Sequence, residues 1–473
     1  MPTFDSDLLA EWSGGEWKSK PSDLISGFSI DSRSISCGEM FVAIEAERDG
    51  HDFLSSAAEN GAGAALVNKV KLEVPIPQLV VGNTLSAFHR IARGHRSDFE
   101  GSVVGITGSC GKTSTKDTLG LLMGQDQTLS TEGNLNNHLG VPLTVLRMND
   151  ATHRFAVVEA GINEIGEMSM LARTISPDLV IVTLVGHSHL EGLGSVENVA
   201  REKAMLFEGL DSDPLVLFPE DCLSYELFSK KSETGKNHLV LKEGKPSREP
   251  RRNEAFYSIW TETNKNGGSW MLGLWRHESP FLSLPLPAVS AGMARNVALA
   301  VLAACELGVS VQEISERLPQ YRPSALRGRR LQGRGRTYFL DCYNANPSSM
   351  KDSIEFFSTQ CSDLPKLYVL GGMEELGEEG PRLHDEVARS LSVDKRDRVV
   401  LVGEKAAWMA EGLLAGGAGD DQVMVFPQAD DAISLVEDFD GAVLFKGSRL
   451  NELERLLPTW AVDEREMGDG VEC

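Results

Sequence analysis

Short apolar runs recur along the chain, and segments with the apolar spacing of helices lie between them. Near the N-terminus, "MFVAIEA" (40–46) and "AALVN" (64–68) predict buried strands, and "FLSSAAENGAG" (53–63) predicts a helix between them. "SAFHRIARGHRSDFE" (86–100) predicts a helix that leads out of this region. We therefore expect a first structural block over residues 1–98.

A second block alternates strands with helices. Three apolar runs predict its buried strands: "SVVGIT" (102–107), "RFAVVEAG" (154–161) and "DLVIVTLVG" (178–186). Such alternation is typical of a parallel, doubly wound sheet, which binds ligands at the carboxyl ends of its strands. The first strand leads into a glycine-rich loop, the second ends on Glu159, and His187 and His189 follow the third. All three ends therefore carry residues capable of chemistry.

The alternation restarts near residue 321. Four apolar runs predict the strands of this third block: "TYFLDCY" (337–343), "KLYVLGGM" (366–373), "RVVLVG" (398–403) and "AVLFKGS" (442–448). "ARNVALAVLAACELG" (294–308) predicts a helix before it, and "YRPSALRGRR" (321–330) marks the junction. We expect three domains, at residues 1–98, 99–320 and 321–473.

Composition narrows the class of protein. The chain has 473 residues, which is too long for one ordinary core, and 41% of them are hydrophobic. Its formal net charge of −23 argues against a nucleic-acid-binding surface. No apolar run approaches the length of a membrane span, and the acidic N-terminus lacks a signal pattern, so we expect a cytoplasmic protein. The seven cysteines are scattered and predict free thiols.

The stretch "GITGSCGKTSTKDTLGLLM" (105–123) has the features of a phosphate-binding loop followed by a helix. Gly105, Gly108 and Gly111 would let the backbone turn and point N–H groups at an anion, and the helix dipole would add to the attraction. The loop reads G-x-x-G-x-x-G-K-[ST], with Ile106 where a standard P-loop has its first glycine.

The residues after these glycines supply the side chains of a nucleotide site. Lys112 would reach the outer phosphates, and Thr113 or Ser114 would bind Mg²⁺. The alternative is a glycine-rich turn with an exposed lysine. A buried strand before the loop and a helix after it favour the nucleotide site.

Other candidates are weighed against ordinary structural roles. Glu159 would hold Mg²⁺ or orient water, or be a solvated strand-end carboxylate. His189 would be a metal ligand or a loop histidine, and Lys203 in "NVAREKAMLFEGL" (198–210) taken alone is an exposed lysine. "TEGNLNNHLGVPLT" (131–144) is a polar binding loop or a cluster of turns.

Arginine and aspartate side chains at the start of the third block could bind the phosphates and the ribose of a nucleotide. "LRGRR" (326–330) offers guanidinium groups that can bind phosphate, and Asp341 at a strand end would bind ribose hydroxyls. The alternative is an inter-domain salt-bridge cluster followed by an Asn-Pro turn in "LDCYNANPSSM" (340–350).

Together these segments resemble the Mur ligase family, ATP-dependent amide-bond ligases of bacterial cell-wall synthesis, over nearly the whole chain. "TGSCGKT" is similar to the family's ATP loop, which also lacks the first glycine. Other stretches resemble the members that add D-alanyl-D-alanine or the family's UDP-sugar site: "DSRSISCGEMFVAIEAERDGHDF" (31–53), "TEGNLNNHLGVPLTVLR" (131–147), "GHSHLEGLGSVENVAREKAMLFEGL" (186–210), "LDCYNANPSSM" (340–350), "LGGMEELGEEGPRLH" (370–384) and "LFKGSR" (444–449).

The resemblance implies an α/β fold with three domains: an N-terminal UDP-sugar-binding domain, a central P-loop-like domain with a parallel sheet that binds ATP, and a C-terminal Rossmann-like domain. It implies ATP and Mg²⁺ as cofactors. It implies UDP-N-acetylmuramoyl-tripeptide and D-alanyl-D-alanine as substrates, joined through an acyl phosphate, and a monomer. The alternative within the family is a sister ligase that adds a single amino acid.

The resemblance also implies roles for individual residues. Lys112, Glu159, His189 and a carbamylated Lys203 would be catalytic, with the last three and Thr113 as metal ligands. Residues expected at ATP are Gly108, Ser109, Cys110, Gly111, Lys112, Thr113, Ser114, Asn296, Arg327 and Asp341. Residues expected at the other substrates are Ser32, Arg33, Asn134, Asn136, Asn137, Tyr343, Asn344 and Asn346.

Two further alternatives remain at this stage. Folylpolyglutamate synthetase shares the core but lacks a UDP-binding domain, whereas 98 residues precede the loop strand here. A non-catalytic nucleotide-binding scaffold would have no need for the catalytic set described above. The chain departs from the family pattern at Leu184, His187 and Gly292, and at "LFPED" (217–221).

Overall fold

A computed structural model describes residues 2–264, 267–276 and 280–463. Its strands form three sheets, and each sheet draws its strands from a successive part of the chain. We call these parts the N-terminal, central and C-terminal units. The predicted α/β class is confirmed, and the domain limits at 98 and 320 stay a prediction.

The N-terminal unit has a five-stranded sheet in the order β1-β5-β4-β3-β2, parallel except for β1. Its strands are β1 (Glu16–Trp17), β2 (Phe28–Ser29), β3 (Met40–Val42), β4 (Ala64–Val67) and β5 (Gln78–Val80). Its helices are α1 (Ser6–Ser13), α2 (Leu54–Glu59) and α3 (Thr84–Asp98). Helix α3 begins where Asn83 accepts a hydrogen bond from the Ser86 N–H at 2.8 Å.

The central unit has a nine-stranded sheet in the order β14-β13-β12-β11-β10-β9-β6-β8-β7. Its strands are β6 (Ser102–Thr107), β7 (Thr128–Ser130), β8 (Phe155–Glu159), β9 (Leu179–Val182), β10 (Leu215–Pro219), β11 (His238–Glu243), β12 (Glu254–Asn264), β13 (Gly267–Trp275) and β14 (Pro280–Leu286). Strands β6 to β12 pair in parallel, and β13 and β14 extend the sheet as antiparallel strands.

Eight helices cover this sheet in the part of the central unit that the structure describes. They are α4 (Lys112–Met123), α5 (Gly140–Val145), α6 (Glu167–Ile175), α7 (Leu190–Leu193), α8 (Val196–Ala204), α9 (Glu226–Glu233), α10 (Ala291–Glu306) and α11 (Val311–Arg317). Helix α10 is rich in alanine and valine and is buried over most of its length. It packs against α4 and so supports the helix that follows the glycine-rich loop.

The C-terminal unit has a seven-stranded sheet in the order β19-β18-β17-β20-β16-β15-β21. Its strands are β15 (Arg329–Gly333), β16 (Arg336–Asp341), β17 (Lys366–Gly371), β18 (Arg398–Val402), β19 (Val423–Phe426), β20 (Ala442–Lys446) and β21 (Val462–Asp463). Strands β16 to β20 pair in parallel. Its helices are α12 (Pro347–Gln360), α13 (Gly380–Ser390), α14 (Met409–Ala415) and α15 (Ile433–Asp438).

The strands and helices predicted from apolar runs are present at the expected places, but two predictions need correction. The polar stretch 131–144 is not loop throughout, because α5 begins at Gly140 and its apolar residues are buried against the sheet. The helix predicted over 198–210 ends at Ala204. The antiparallel strands β13 and β14 had no counterpart in the sequence-based prediction.

The structure also bears on the predictions about the cysteines and about membrane-spanning segments. Six cysteines are free thiols, as expected, and Cys473 lies outside the described residues. Among the helices that the structure describes, none is both long and apolar enough to cross a membrane.

Candidate functional site

The glycine-rich loop connects β6 to α4 in a conformation that requires glycine at two positions. Gly111 has φ +82°, and a Cβ there would lie 2.4 Å from Nδ2 of Asn296. Gly108 has φ +154°, and a Cβ there would lie 1.9 Å from Oγ1 of Thr183. The missing side chains therefore let α10 and the end of β9 approach the loop closely.

The loop is fastened to the chain that follows β9. The Ser109 N–H donates to the carbonyl of Leu184 at 2.8 Å. The Ser109 hydroxyl donates to the carbonyl of Gly186 at 2.9 Å and accepts from the Gly186 N–H at 3.0 Å. Ser109 therefore holds the loop in place, and its donors are engaged within the protein.

Lys112 and Thr113 lie at the start of α4, close to the end of β8. The Lys112 amine donates to the carbonyl of Gly108 at 2.9 Å, and burial lowers its pKa. The Thr113 hydroxyl donates to Oε2 of Glu159 at 3.0 Å, and Asn136 Nδ2 donates to Oε1 of Glu159 at 2.8 Å. A cation and a fixed carboxylate therefore lie together at the N-terminus of a helix.

Lys203 lies on α8 and is only 1% exposed, so its interpretation as an exposed lysine is wrong. Burial, with a further contribution from the charge of Lys112, lowers its pKa well below the usual range. No carboxylate of the described residues forms an ion pair with its amine. The protein thus buries an amine whose neutral form is favoured.

A cavity of about 550 Å³ opens between the central and C-terminal units. Most residues predicted for ATP, metal and substrates line it: Ser109, Cys110, Gly111, Lys112, Thr113, Ser114, Asn134, Asn136, Asn137, Glu159, His189, Asn296, Arg327, Asp341, Tyr343, Asn344 and Asn346. Four of the predicted residues do not line the cavity. Gly108 belongs to the loop but packs against Thr183, and the others are Lys203, Ser32 and Arg33.

The C-terminal wall of the cavity is built around an arginine and an ion pair. The Arg327 guanidinium lies over the Tyr343 ring, 3.8 Å from its centre, which orients both side chains. Asp341 pairs with the buried amine of Lys446 at 2.9 Å and accepts a hydrogen bond from Ser353. The Asp341 carboxylate is therefore fixed at the end of β16.

Asparagines expected to contact substrates also shape the backbone. Asn137 Oδ1 accepts from the Gly140 N–H at 3.0 Å at the start of α5. Asn346 caps α12, and its Nδ2 donates to the carbonyl of Ser109 at 3.0 Å, joining the two units. Asn344 Oδ1 accepts from the next N–H in the chain at 2.9 Å. These hydrogen bonds position the loops that line the cavity.

Ser32 and Arg33 belong to the N-terminal unit. Arg33 pairs with Asp31 at 2.7 Å, and this hydrogen bond lowers the pKa of Asp31 to about 2. The carbonyl of Ser32 accepts from Asn60 Nδ2 at 2.8 Å. Their proposed contact with a UDP-sugar stays a prediction.

Sequence reasoning missed three cavity or interface residues. Lys446 ends the apolar strand β20, which is the signal that singled out Glu159, so it was detectable. Glu375, after β17, lies in the segment 370–384 that resembles the family. Neither it nor Asp352 on α12 was singled out, because each lies on a polar stretch typical of a solvated surface. Their roles arise from contacts with the central unit.

Asp352 approaches the first turn of α10. Its Oδ1 accepts a hydrogen bond from the Gly292 N–H at 2.9 Å, and a Cβ at position 292 would lie 2.6 Å from Asp352 Oδ2. Gly292, a departure from the family pattern, thus leaves room for a contact between the two units.

We expect Gly292→Ala to weaken docking of the C-terminal unit, because the added methyl group collides with Asp352. Alanine keeps the backbone N–H, so the effect comes from displacement of the Asp352 carboxylate, which lengthens its hydrogen bond to residue 292. Hydrogen bonds to charged groups contribute about 1.5–3 kcal/mol, which is the upper limit of the loss. Alanine favours a helix over glycine by about 1 kcal/mol, so the central unit should unfold at an unchanged or higher temperature. Small-angle scattering should show a larger radius of gyration. Gly82→Ala, with no atom within 4 Å of the new methyl group, is the control.

Comparison with known proteins connects this geometry to a family. The Mur ligase middle domain matches residues 106–304, and the Mur ligase glutamate ligase domain matches residues 327–449. A UDP-N-acetylmuramoyl-tripeptide–D-alanyl-D-alanine ligase of Bacillus subtilis is 30% identical over 92% of this chain and 93% of its own. The chain belongs to the Mur ligase family.

Solved structures agree with this assignment. A crystal structure of MurF from Acinetobacter baumannii covers 96% of this Mur ligase and 98% of its own chain, with a TM-score of 0.83 and 27% identity. A UDP-N-acetylmuramoyl-L-alanyl-D-glutamate–2,6-diaminopimelate ligase covers 94% of this chain and 93% of its own, with a TM-score of 0.53 and 16% identity. The second likeness concerns the fold alone.

Proposed function

We propose that this Mur ligase joins D-alanyl-D-alanine to the terminal carboxylate of UDP-N-acetylmuramoyl-tripeptide in peptidoglycan precursor synthesis, with ATP converted to ADP and phosphate. The observation that carries the proposal is the grouping of Lys112, Thr113 and Glu159 at a helix N-terminus in a cavity shared by two units. The name of the B. subtilis relative, which matches over 92% of the chain, supports the choice of substrates.

ATP lies with its phosphates on the loop at the start of α4. The free N–H groups at the N-terminus of α4 and the Lys112 amine bind phosphate oxygens. Asn296, packed against Gly111, and Arg327, stacked on Tyr343, contact the nucleotide from opposite walls. Asp341, held by Lys446, accepts hydrogen bonds from the ribose hydroxyls.

The residues present fit Mg²⁺. Glu159 and Thr113 offer oxygen atoms, which Mg²⁺ prefers, and both Glu159 oxygens are already oriented by hydrogen bonds. His189 lines the same cavity. When bound, the ion neutralises charge on the transferring phosphoryl group.

Lys203 completes the set as a carbamate. Its neutral amine attacks CO₂ to form an N–C bond, and loss of one proton leaves a carbamate anion. The low pKa of the buried amine supports this reaction, since only the neutral amine is nucleophilic. The resulting anion is a ligand of the same chemical type as Glu159.

The reaction proceeds in two steps. A carboxylate oxygen of the tripeptide attacks the γ-phosphorus of ATP, the bond to ADP breaks, and an acyl phosphate forms. The neutral amine of the dipeptide then attacks the acyl carbon, phosphate leaves, and the nitrogen loses a proton. Lys112 stabilises negative charge on the phosphoryl oxygens in the first step, and the polar walls of the cavity position the reactants.

The remaining assignments extend this proposal to the whole chain. The N-terminal unit holds the UDP-sugar through Ser32 and Arg33, and Asn134, Asn136 and Asn137 lie along the path of the peptide. The C-terminal unit presents Tyr343, Asn344 and Asn346 to the nucleotide and dipeptide. The enzyme acts as a cytoplasmic monomer with domain limits at residues 98 and 320.

Phosphate release from ATP tests the proposal. We expect phosphate release that requires both UDP-N-acetylmuramoyl-tripeptide and D-alanyl-D-alanine. In mass spectrometry, the product should be heavier than the UDP-muramoyl tripeptide by the mass of D-alanyl-D-alanine minus one water. Single amino acids serve as the control. Release driven by a single amino acid with a shorter UDP-muramoyl peptide would assign the chain to a sister ligase, and absence of release with every acceptor would refute the function.

A further inference from the structure

The loop that follows β17 approaches the candidate metal site from the C-terminal unit. Glu375 in this loop has φ +59°, and His189 in the central unit has φ +52°. Non-glycine residues rarely adopt this left-handed conformation, which persists where the surrounding structure determines it strongly. The two residues that face each other across the interface are therefore both held in uncommon backbone conformations.

Two contacts and one close approach of the backbone join this loop to α7 and the residue before it. Glu375 Oε2 lies 2.5 Å from Nδ1 of His189. The Glu191 N–H donates to the carbonyl of Glu375 at 3.1 Å. At Gly377, an added Cβ would lie 3.4 Å from the Glu191 Cα, which is ordinary packing distance. The carboxylate contact therefore has independent support from the backbone on the same side of the cavity.

The contact leaves one imidazole nitrogen for another partner. Since Nδ1 faces the Glu375 carboxylate, Nε2 is the nitrogen available to a ligand in the cavity that His189 lines. A carboxylate beside one ring nitrogen fixes the orientation of an imidazole and makes the other nitrogen a stronger ligand for a metal ion. The carboxylate here comes from a different unit than the imidazole.

We propose that Glu375 is a positioning residue that orients His189 as a metal ligand, so that the metal site is complete only when the C-terminal unit is docked. The proposal rests on the assignment of His189 as a metal ligand in the proposed function. Docking of the C-terminal unit then has two effects, because it closes the cavity and also orients the His189 imidazole toward the metal site. Metal affinity in the central unit is thereby coupled to the position of the C-terminal unit.

Glu374 provides a matched control in the same loop. It is the neighbouring carboxylate and pairs with Lys405 within the C-terminal unit rather than with the central unit. Glu374→Gln and Glu375→Gln thus remove the same charge from adjacent positions. Glu375→Ala removes the hydrogen-bond acceptor as well, whereas Gln at 375 keeps an acceptor without the charge.

Direct Mn²⁺ binding is the main measurement, made by electron paramagnetic resonance on the full chain with a non-hydrolysable ATP analogue. Loss of an outer partner of a metal ligand weakens binding by about 10–100-fold. We expect a loss in this range for Glu375→Ala, a smaller loss for Glu375→Gln, and less than about twofold for Glu374→Gln. The radius of gyration of each variant, measured by scattering, should equal that of the wild type. These substitutions add no group that would push the units apart, and the hydrogen bonds of Glu191 with Glu375, Gly292 with Asp352 and Asn346 with Ser109 remain.

The outcomes separate this proposal from the function on which it rests. Unchanged Mn²⁺ binding in Glu375→Ala, with weakened binding in His189→Ala, would refute the positioning role and keep the metal ligand. Unchanged binding in both variants would refute the assignment of His189 itself. Weaker binding accompanied by a larger radius of gyration would show that Glu375 only holds the units together, which also overturns the proposal.

Discussion

Replacing Lys112 by alanine is expected to lower the rate of phosphate release by a factor of about 10³. The Lys112 amine lies at the N-terminus of α4 and is half-buried in the cavity, where water screens its charge less than in bulk solvent. In the transition state, negative charge spreads over the phosphoryl oxygens, and this amine is the cation of the loop that can meet it. Turnover with UDP-N-acetylmuramoyl-tripeptide, D-alanyl-D-alanine and ATP is the measurement.

A surface lysine serves as the control for this variant. Lys351 pairs with Glu386 at 2.7 Å on the outside of the C-terminal unit, so Lys351→Ala should keep turnover within about twofold. Circular dichroism should show that both variants are folded. Near-normal turnover in Lys112→Ala would contradict the assignment of the loop as the phosphate site.

Replacing Lys203 by alanine is expected to lower turnover by about 10²–10³-fold, since it removes a proposed anionic metal ligand that supplies several kcal/mol of charge stabilisation. The wild-type protein should also lose activity in buffer freed of CO₂ and regain it with bicarbonate. In ¹³C-bicarbonate, the wild type should show a carbamate resonance that Lys203→Ala lacks.

Lys231 tests whether the carbamate forms at Lys203 or at any buried lysine. Lys231 is also largely buried, but its amine is engaged in an ion pair with Asp213 at 2.5 Å. Lys231→Ala should therefore retain the resonance. A resonance that survives in Lys203→Ala, or turnover that is insensitive to both CO₂ and the Lys203 substitution, would be contrary to the carbamate.

The α/β class and the phosphate loop could be predicted from the sequence because their signals are local. Apolar runs specify β6, β8 and β9, and glycine spacing specifies the turn between β6 and α4. The hydrophobic pattern was less informative for α5, because its start at Gly140 follows a run of polar residues. The antiparallel strands β13 and β14 were missed because alternation in a half-buried edge region is a weak signal.

In the candidate site, too, some features could be predicted from the sequence and others depend on tertiary packing. Glu159 and Lys446 each end an apolar strand, and a charge at such a position is visible along the chain. The burial of Lys203 was not visible, because its helix has the composition of an exposed one and only packing in the fold removes the amine from water. Without its family resemblance, the sequence favoured the wrong environment for this residue.

By itself the sequence determined the order of strands and helices, the glycine-rich loop, the family and the residues at the strand ends, since each depends on residues close together in the chain. Only the tertiary structure decided which of them meet. The contacts of Glu375 with His189, of Asp352 with Gly292 and of Asn346 with Ser109 join residues from different units. Such contacts depend on how two folded surfaces fit together, and the spacing of side chains along one segment of the chain does not predict that fit.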